Sequence, residues 1–411
     1  MYKERREKLQ RQLPDYSITV LYSGKAPHSI GDEVYPFKVD RSFYYYTGIN
    51  EQNMTLMIFK LPKAVQEILF IEPFDPVMAK WVGAKMLPAE ATEISGIRDV
   101  RYVEEIEGAI SRLVSNYGKF APITLCGELS KMELDQSWPV SDLFNKIRDR
   151  HPDVNVRNIA ALTARMRMVK DEEEIRLMKK AISVTNDGIK AMMKAARDNV
   201  TENELEAHFD FVLKCANCEH AFGTICASGK NATVLHYGEN NTQSKPGEMV
   251  LVDLGAAYEL YNADISRTFP INGKFSERQK AVYQTVLRAN KMVQEVVRPG
   301  MTLRELNGKV IEFYQQELPK LGLLGNGDTV RDYYWHSVSH HLGLETHDVS
   351  LLDEPLRAGN VITDEPGLYL EKEGIGVRIE DDIMITENGC INLSREIMKE
   401  VEDIEAFMAE R

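Results

Sequence analysis

A chain of 411 residues exceeds what one ordinary hydrophobic core holds and implies two domains or three. Its 43% hydrophobic and 27% charged residues are those of a soluble globular protein, and a net charge of −13 argues against a nucleic-acid partner. No apolar stretch approaches membrane-spanning length, the N-terminal segment lacks a signal-like apolar core, and five cysteines, an odd number, fit free thiols in a reducing cytoplasm.

In chain order, Ser17–Tyr22, Thr55–Phe59, Glu67–Ile71 and Ile123–Cys126 are short apolar runs between turn residues and read as strands. Helical patterns over Glu104–Asn116 and Val140–Asp149 lie among them, which predicts an α/β domain over residues 1–156 and a linker over 157–170. From Asp171 the pattern changes to long capped helices. Asp171 with Glu174 forms a D-x-x-E start, followed by Ile175, Met178, Ile182 and Ile189 on one face. Thr201 with Glu204 reads as a second capping box, opening a helix through Leu205, Phe209, Val212 and Leu213. Cys215 and Cys218 end that helix; with no second pair to complete a zinc site, they read as buried helix-end thiols. Strands follow at Met249–Leu254 and Ala263–Phe269.

The order then repeats. Ser276 with Gln279 caps a helix broken at Pro299-Gly300, and Thr302 with Glu305 caps another through Leu306, Val310 and Phe313. Strand-like runs return at Val361–Ile362, Leu368–Leu370 and Gly376–Glu380. Two helices then strands, twice over, predicts a duplicated α/β half within residues 171–411.

Four segments of that region carry ionisable residues that a purely structural reading explains poorly. Asp253 ends a Val and Leu run expected to be buried, where a lone carboxylate costs several kcal/mol. Asp264 follows at a distance that lets two strands and a turn bring the pair side by side. His336, His340, His341 and His347 hold four of the nine histidines. Ser337 stands where a zincin helix needs Glu, so that motif fails. Glu365 lies beside the Pro366-Gly367 bend, and Arg378 and Glu380 share one face of a strand pattern. Together Asp253, Asp264, His340, Glu365 and Glu380 are five donors suited to two divalent ions, whose charge offsets the mutual repulsion of the carboxylates. An oxygen-rich set with one imidazole suits Mn²⁺, Co²⁺ or Zn²⁺.

The segments VDLGAAYELYNADISRTF, VSHHLGLETHD, DEPGLYL and GIGVRIEDD resemble the metal-binding signatures of the aminopeptidase P, prolidase and methionine aminopeptidase superfamily. The resemblance runs from about Val169 to the C-terminus. DRSFYYYTGINE resembles the creatinase-type N-terminal domain of the proline-specific branch, which methionine aminopeptidases lack. The resemblance implies a creatinase-like α/β domain followed by a pita-bread catalytic domain with a duplicated half. It implies hydrolysis of the N-terminal Xaa-Pro bond of peptides by a hydroxide that two divalent ions activate, with Mn²⁺ first and Co²⁺ or Zn²⁺ as alternatives. Asp253, Asp264, His340, Glu365 and Glu380 match the ligands, with Asp264 and Glu380 bridging. Glu365 also matches the proton shuttle, His236 and His347 match histidines that support substrate and intermediate, His336 matches one near the proline pocket, and Arg378 an arginine that steadies the site. Asp364 departs from the pattern by adding charge beside Glu365, with an expected effect on metal affinity; His341 also departs. Trp81 resembles an aromatic that walls a neighbouring subunit's pocket in a homodimer or higher homo-oligomer, although a lone Trp reads first as local packing. An Xaa-Pro dipeptidase is the alternative activity; a non-catalytic pita-bread binding protein and a metal-free amidinohydrolase are disfavoured by the five donors.

Overall fold

Short apolar runs in the first part of the chain pair into one mixed sheet in the computed structural model, which describes residues 1–129, 139–325 and 327–410. The strands are β1 (Ser17–Tyr22), β2 (Thr55–Leu61), β3 (Ala64–Ile71), β4 (Asp99–Tyr102), β5 (Thr124–Gly127) and β6 (Asn155–Asn158), in the order β4-β3-β2-β1-β5-β6. β1 runs antiparallel to β2, from Ser17↔Lys60 to Tyr22↔Thr55, and parallel to β5. Ile18, Val20, Met57, Phe59, Ile68, Phe70 and Leu125 form its core with Ile110, Val114, Phe144 and Ile147. The last four sit at i, i+4 and i, i+3 on helices Ile106–Tyr117 and Pro139–Arg150.

The DRSFYYYTG motif is a short helix, Arg41–Thr47. Asp40 accepts hydrogen bonds from the Ser42 and Phe43 N–H groups at its start, and Gly48 ends it at φ +73°. A Cβ at Gly48 would stand 2.2 Å from the Tyr2 ring, so glycine is needed for space as well as for backbone angle. Trp81, expected to pack locally, is instead 81% exposed on the single-turn helix Ala79–Val82. That helix is too short to present a buried face.

The chain divides into two compact units, Met1–Met166 and Arg167–Arg411. Segment 157–170, expected as linker, holds the end of β6 and a helix over Ala160–Met168. Asn155–Asn158, three polar residues with Val156 and all exposed, owes its strand character to parallel pairing with Thr124–Gly127.

In the second unit, helices Glu172–Ala195 and Glu202–Cys215 precede strands β7 (Glu219–His220), β8 (Ile225–Ser228), β9 (Met249–Leu254), β10 (Ala256–Tyr258), β11 (Tyr261–Asn262) and β12 (Ile265–Pro270). Helices Glu277–Val296 and Leu303–Glu317 precede β13 (Val361–Asp364), β14 (Gly367–Leu370), β15 (Ile375–Arg378), β16 (Asp381–Ile385) and β17 (Cys390–Asn392). The expected double order of elements is present. Capping boxes form at Asp171/Glu174, Ser276/Gln279 and Thr302/Glu305. At Thr201 the expected box fails: its side chain makes no capping bond, and Glu204 is drawn to the Arg197 guanidinium. Of the two helix-end thiols, Cys218 is buried but Cys215 is exposed, because the helix turns it outward at its last residue.

Candidate active site

Asp253 lies on β9, the middle strand of the sheet β12-β9-β8, where it faces Ser266 on one side and Ile225 on the other. Asp264 immediately precedes β12 and is 4% exposed, so the two aspartates do meet across neighbouring strands. The second half supplies the rest. The end of β13 delivers Glu365, and the turn between β15 and β16 delivers Glu380. A polar seam joins the halves: Glu380 N–H donates to Ser266 O at 3.0 Å, and the Arg267 guanidinium donates to Glu380 O at 2.6 Å and to Asp381 Oδ1 at 2.8 Å.

His340 is held from both backbone sides by Thr363, whose Oγ1 accepts from its N–H and whose N–H donates to its carbonyl, each at 3.0 Å. Its Nδ1 lies 3.0 Å from His341 O, so that nitrogen carries the proton and Nε2 is left facing the carboxylates. Nε2 is 3.4 Å from Asp264 Oδ2 and 3.5 Å from Glu365 Oε1. Ligating atoms of Asp264, His340 and Glu380 all lie within 4.8 Å of one another. Asp253, Asp264, His340, Glu365 and Glu380 line one cavity of about 340 Å³ together with His236, His336, His347 and Arg378. The nine residues for which the sequence resemblance implied a role in the site thus line the same cavity.

The donors fit divalent cations. Burial pushes the Asp264 carboxyl up to about 6 and the Glu365 carboxyl up to about 7, and it raises Glu380 well above the ordinary range, with Asp264 and Glu365 adding to that rise. Burial alone would lower His340, but Asp264 and Glu365 outweigh it and hold the imidazole up at about 9. Asp253 Oδ1 is buried with no hydrogen-bond partner among the described residues. Excess negative charge, an unpaired oxygen and one inward imidazole nitrogen are what cations would satisfy.

Two residues that sequence reasoning missed organise the donors. Ser266 Oγ donates to Glu380 Oε2 at 2.7 Å and accepts from Arg378 Nε at 2.8 Å. Arg378 Nη2 also donates to Asp253 Oδ2 at 2.6 Å, and its Nη1 donates to the Tyr369 hydroxyl at 2.9 Å. Tyr369 must then donate to His336 Nε2, 2.9 Å away, while His336 Nδ1–H donates to Ser337 O at 2.7 Å. Both nitrogens of His336 are engaged by the protein, and burial lowers it to about 3, so it is a neutral wall residue. A serine and a tyrosine in apolar strand runs carry no signal of their own; only the pairing of β9 with β12 and of β14 with β15 reveals them.

The two departures from the signature turn away from the cavity. Asp364 accepts from Asn290 Nδ2 at 3.0 Å and Gln294 Nε2 at 2.9 Å, on the strand face opposite Glu365, although the Glu365 charge still adds to the rise that burial and Asp381 impose on its carboxyl. His341 is buried and bridges to Ile362.

Below His347, Asp348 is buried between Arg167 Nη2 at 2.5 Å and Lys170 Nζ at 3.0 Å. Burial would raise this carboxyl, but the two cations together pull it below its ordinary 3.8. A depressed folded-state value adds stability that is present above 3.8 and lost as pH falls through the folded value. Asp348→Asn is thus expected to cost about 3–5 kcal/mol at pH 7, because it takes the charged partner from the buried Lys170 ammonium and leaves Arg167 with Glu345. Chemical denaturation at pH 7 and in acid should show the gap between variant and wild type closing at low pH. Equal midpoints at pH 7 would contradict the assignment.

Comparison with known proteins places this geometry. Metallopeptidase family M24 matches residues 176–387, and the aminopeptidase P N-terminal domain matches residues 2–121. The chain belongs to metallopeptidase family M24. It is 33% identical to a Haemophilus influenzae Xaa-Pro aminopeptidase, with 99% of this chain and 96% of that protein covered. It is 31% identical to the Escherichia coli Xaa-Pro aminopeptidase, with 99% and 97% covered. The fold matches E. coli aminopeptidase P, solved with the inhibitor Pro-Leu, at a TM-score of 0.90 and 29% identity over 100% of this chain and 98% of that one. It is therefore a creatinase-type N-terminal domain followed by a pita-bread domain.

Proposed function

We propose that the chain is an Xaa-Pro aminopeptidase, which removes the first residue of peptides whose second residue is proline. The observation that carries this reading is the convergence of Asp264, His340 and Glu380 within 4.8 Å in a cavity that Asp253 and Glu365 also line. The full-length likeness to Xaa-Pro aminopeptidases supports the substrate class. We assign Asp253, Asp264, His340, Glu365 and Glu380 as holders of two divalent ions, Mn²⁺ first. Bound there, the ions would polarise the scissile carbonyl and lower the pKa of water.

The chain's own groups supply the remainder. Glu365 Oε1 accepts from Thr363 Oγ1 at 3.1 Å, so we assign Oε2 to take a proton from the attacking water and return it to the prolyl nitrogen. His347, lowered by burial and by His340, stays neutral at physiological pH and can donate to substrate oxygen, as can His236 from the lining of the same cavity. Arg378 ties Asp253, Ser266 and Tyr369 into one unit, which fixes the donors before substrate arrives. A prolyl nitrogen is a tertiary amide without N–H, so recognition cannot rest on that donor and falls to the amino terminus and the carbonyl. Free cysteines support a cytoplasmic location, and no helix among the described residues is long and apolar enough to cross a membrane. Exposed Val77, Trp81 and Val82 in the first unit support a homo-oligomer.

The test is release of the N-terminal residue from an Xaa-Pro-Xaa peptide after chelation and after return of single metals. Chelation should abolish cleavage and Mn²⁺ should restore it; full activity in the chelated protein would sink the reading. Peptide length then separates this activity from that of a dipeptidase, which must close on a free prolyl carboxylate. We expect kcat/KM for the tripeptide to exceed that for the Xaa-Pro dipeptide by at least about tenfold. Cleavage of the dipeptide alone would make the enzyme a prolidase.

A further inference from the structure

One carboxylate outside the cavity holds together the segment that carries His236. Glu202, the first residue of helix Glu202–Cys215, is 1% exposed and does not line the cavity. Its Oε1 accepts from Ser228 N–H at 2.7 Å, Ser228 Oγ at 2.8 Å and Asn231 Nδ2 at 3.0 Å. Its Oε2 accepts from the Tyr237 hydroxyl at 2.8 Å and Thr242 N–H at 2.9 Å. The Glu202 N–H closes the ring by donating to Thr242 O at 3.0 Å. Both oxygens are thus saturated by donors that come from before and after His236.

The segment between those donors supplies Leu235, His236, Tyr237 and Gly238 to the cavity wall. It is held at its base as well. A Cβ at Gly376 would stand 2.0 Å from Ala232 O, so the turn at 229–233 lies directly on β15, the strand that ends in Arg378. Against this fixed base, the Glu202 carboxylate sets the height of the arm that bears His236. Ionised acceptors form the stronger hydrogen bonds, and the positive end of the 202–215 helix favours the charge.

We infer that Glu202 is a positioning residue of the active site, acting through His236. It holds that imidazole in the cavity that Asp264, His340 and Glu380 also line, without touching substrate. A purely structural carboxylate would secure the fold with no selective effect on one histidine. The inference deepens the proposed hydrolysis and rests on it for its kinetic arm.

Glu202→Gln keeps the shape but sets an amide N–H₂ against donors on one side of the ring, so the His236 arm is expected to loosen. Cleavage of an Xaa-Pro-Xaa peptide by metal-loaded protein should show kcat/KM lowered about tenfold in Glu202→Gln. In a His236→Ala background the same change should lower it less than about twofold, since coupled residues are non-additive. Equal factors in both backgrounds would overturn the inference. Tyr237→Phe, which removes one donor from the arm, runs through the same cycle should Glu202→Gln fail to fold. A second readout needs no activity: the ring resonances of His236 by NMR, assigned by their loss in His236→Ala. They should shift in Glu202→Gln and in Tyr237→Phe, while those of His28 and His151 stay in place. If the His236 ring signals do not move in either variant, the inference fails whether or not the wild type cleaves the peptide. If the wild type leaves the peptide uncut while the ring signals move, only the proposed substrate class is lost.

Discussion

Replacing Asp264 by Asn is expected to lower kcat/KM on an Xaa-Pro-Xaa peptide by about 10³-fold, or ~4 kcal/mol of barrier. Asp264 lies within reach of both His340 and Glu380 and is buried, so water cannot stand in for its lost charge. Metal analysis of the same preparation should show fewer than two equivalents per chain. The variant should also reverse its rank in thermal stability. With metal present it should melt below wild type, for it forfeits part of the binding free energy. With chelator it should melt at or above wild type, since one charge has left a group of crowded carboxylates. Unchanged metal content with unchanged kcat would remove Asp264 from the ligand set.

Glu365→Gln is expected to act on turnover first. A positioned acid–base group contributes about 10²–10⁴-fold, and the amide keeps an oxygen to occupy the same place while losing the ability to carry a proton. The expected signature is kcat lowered within that range, KM close to wild type, and metal content largely retained. The contrast with Asp264→Asn is the informative part: one variant loses ions and rate together, the other mainly rate. A Glu365→Gln protein with wild-type kcat would rule out the proton-transfer role.

Much of the second unit was legible because local chemistry announced it. The boxes at Asp171, Ser276 and Thr302 mark helix starts through i to i+3 side-chain bonds, which a single sequence displays directly. Asp253 stood out because a charge at the end of an apolar strand needs a partner. Where a distant partner joins in, the local signal is incomplete: Arg197 pairs with Glu204 while the Thr201 side chain makes no capping bond, and Asp364, beside Glu365 in sequence, is also bound by Asn290 and Gln294. Ser266, Tyr369 and Glu202 were invisible for a related reason. Their partners lie 114, 33 and up to 40 residues away in sequence, and nothing in a strand serine, a strand tyrosine or a helix-start glutamate predicts them. The first unit was legible as alternating apolar runs, but β6 depends wholly on pairing and was not.

The polar seam between the two halves of the second unit has a consequence for how the enzyme would fail. Asp253 and Asp264 come from one half, and His340, Glu365 and Glu380 from the other, so neither half alone carries all five of the proposed ligands. Any opening along the line from Ser266 to Glu380 disperses the site while each half keeps its helices and much of its apolar core. Inactivation by heat, denaturant or a nick in the connecting chain should therefore precede loss of secondary structure. Ions bound across the seam would act as a clasp, and resistance to proteolysis should rise with their free concentration.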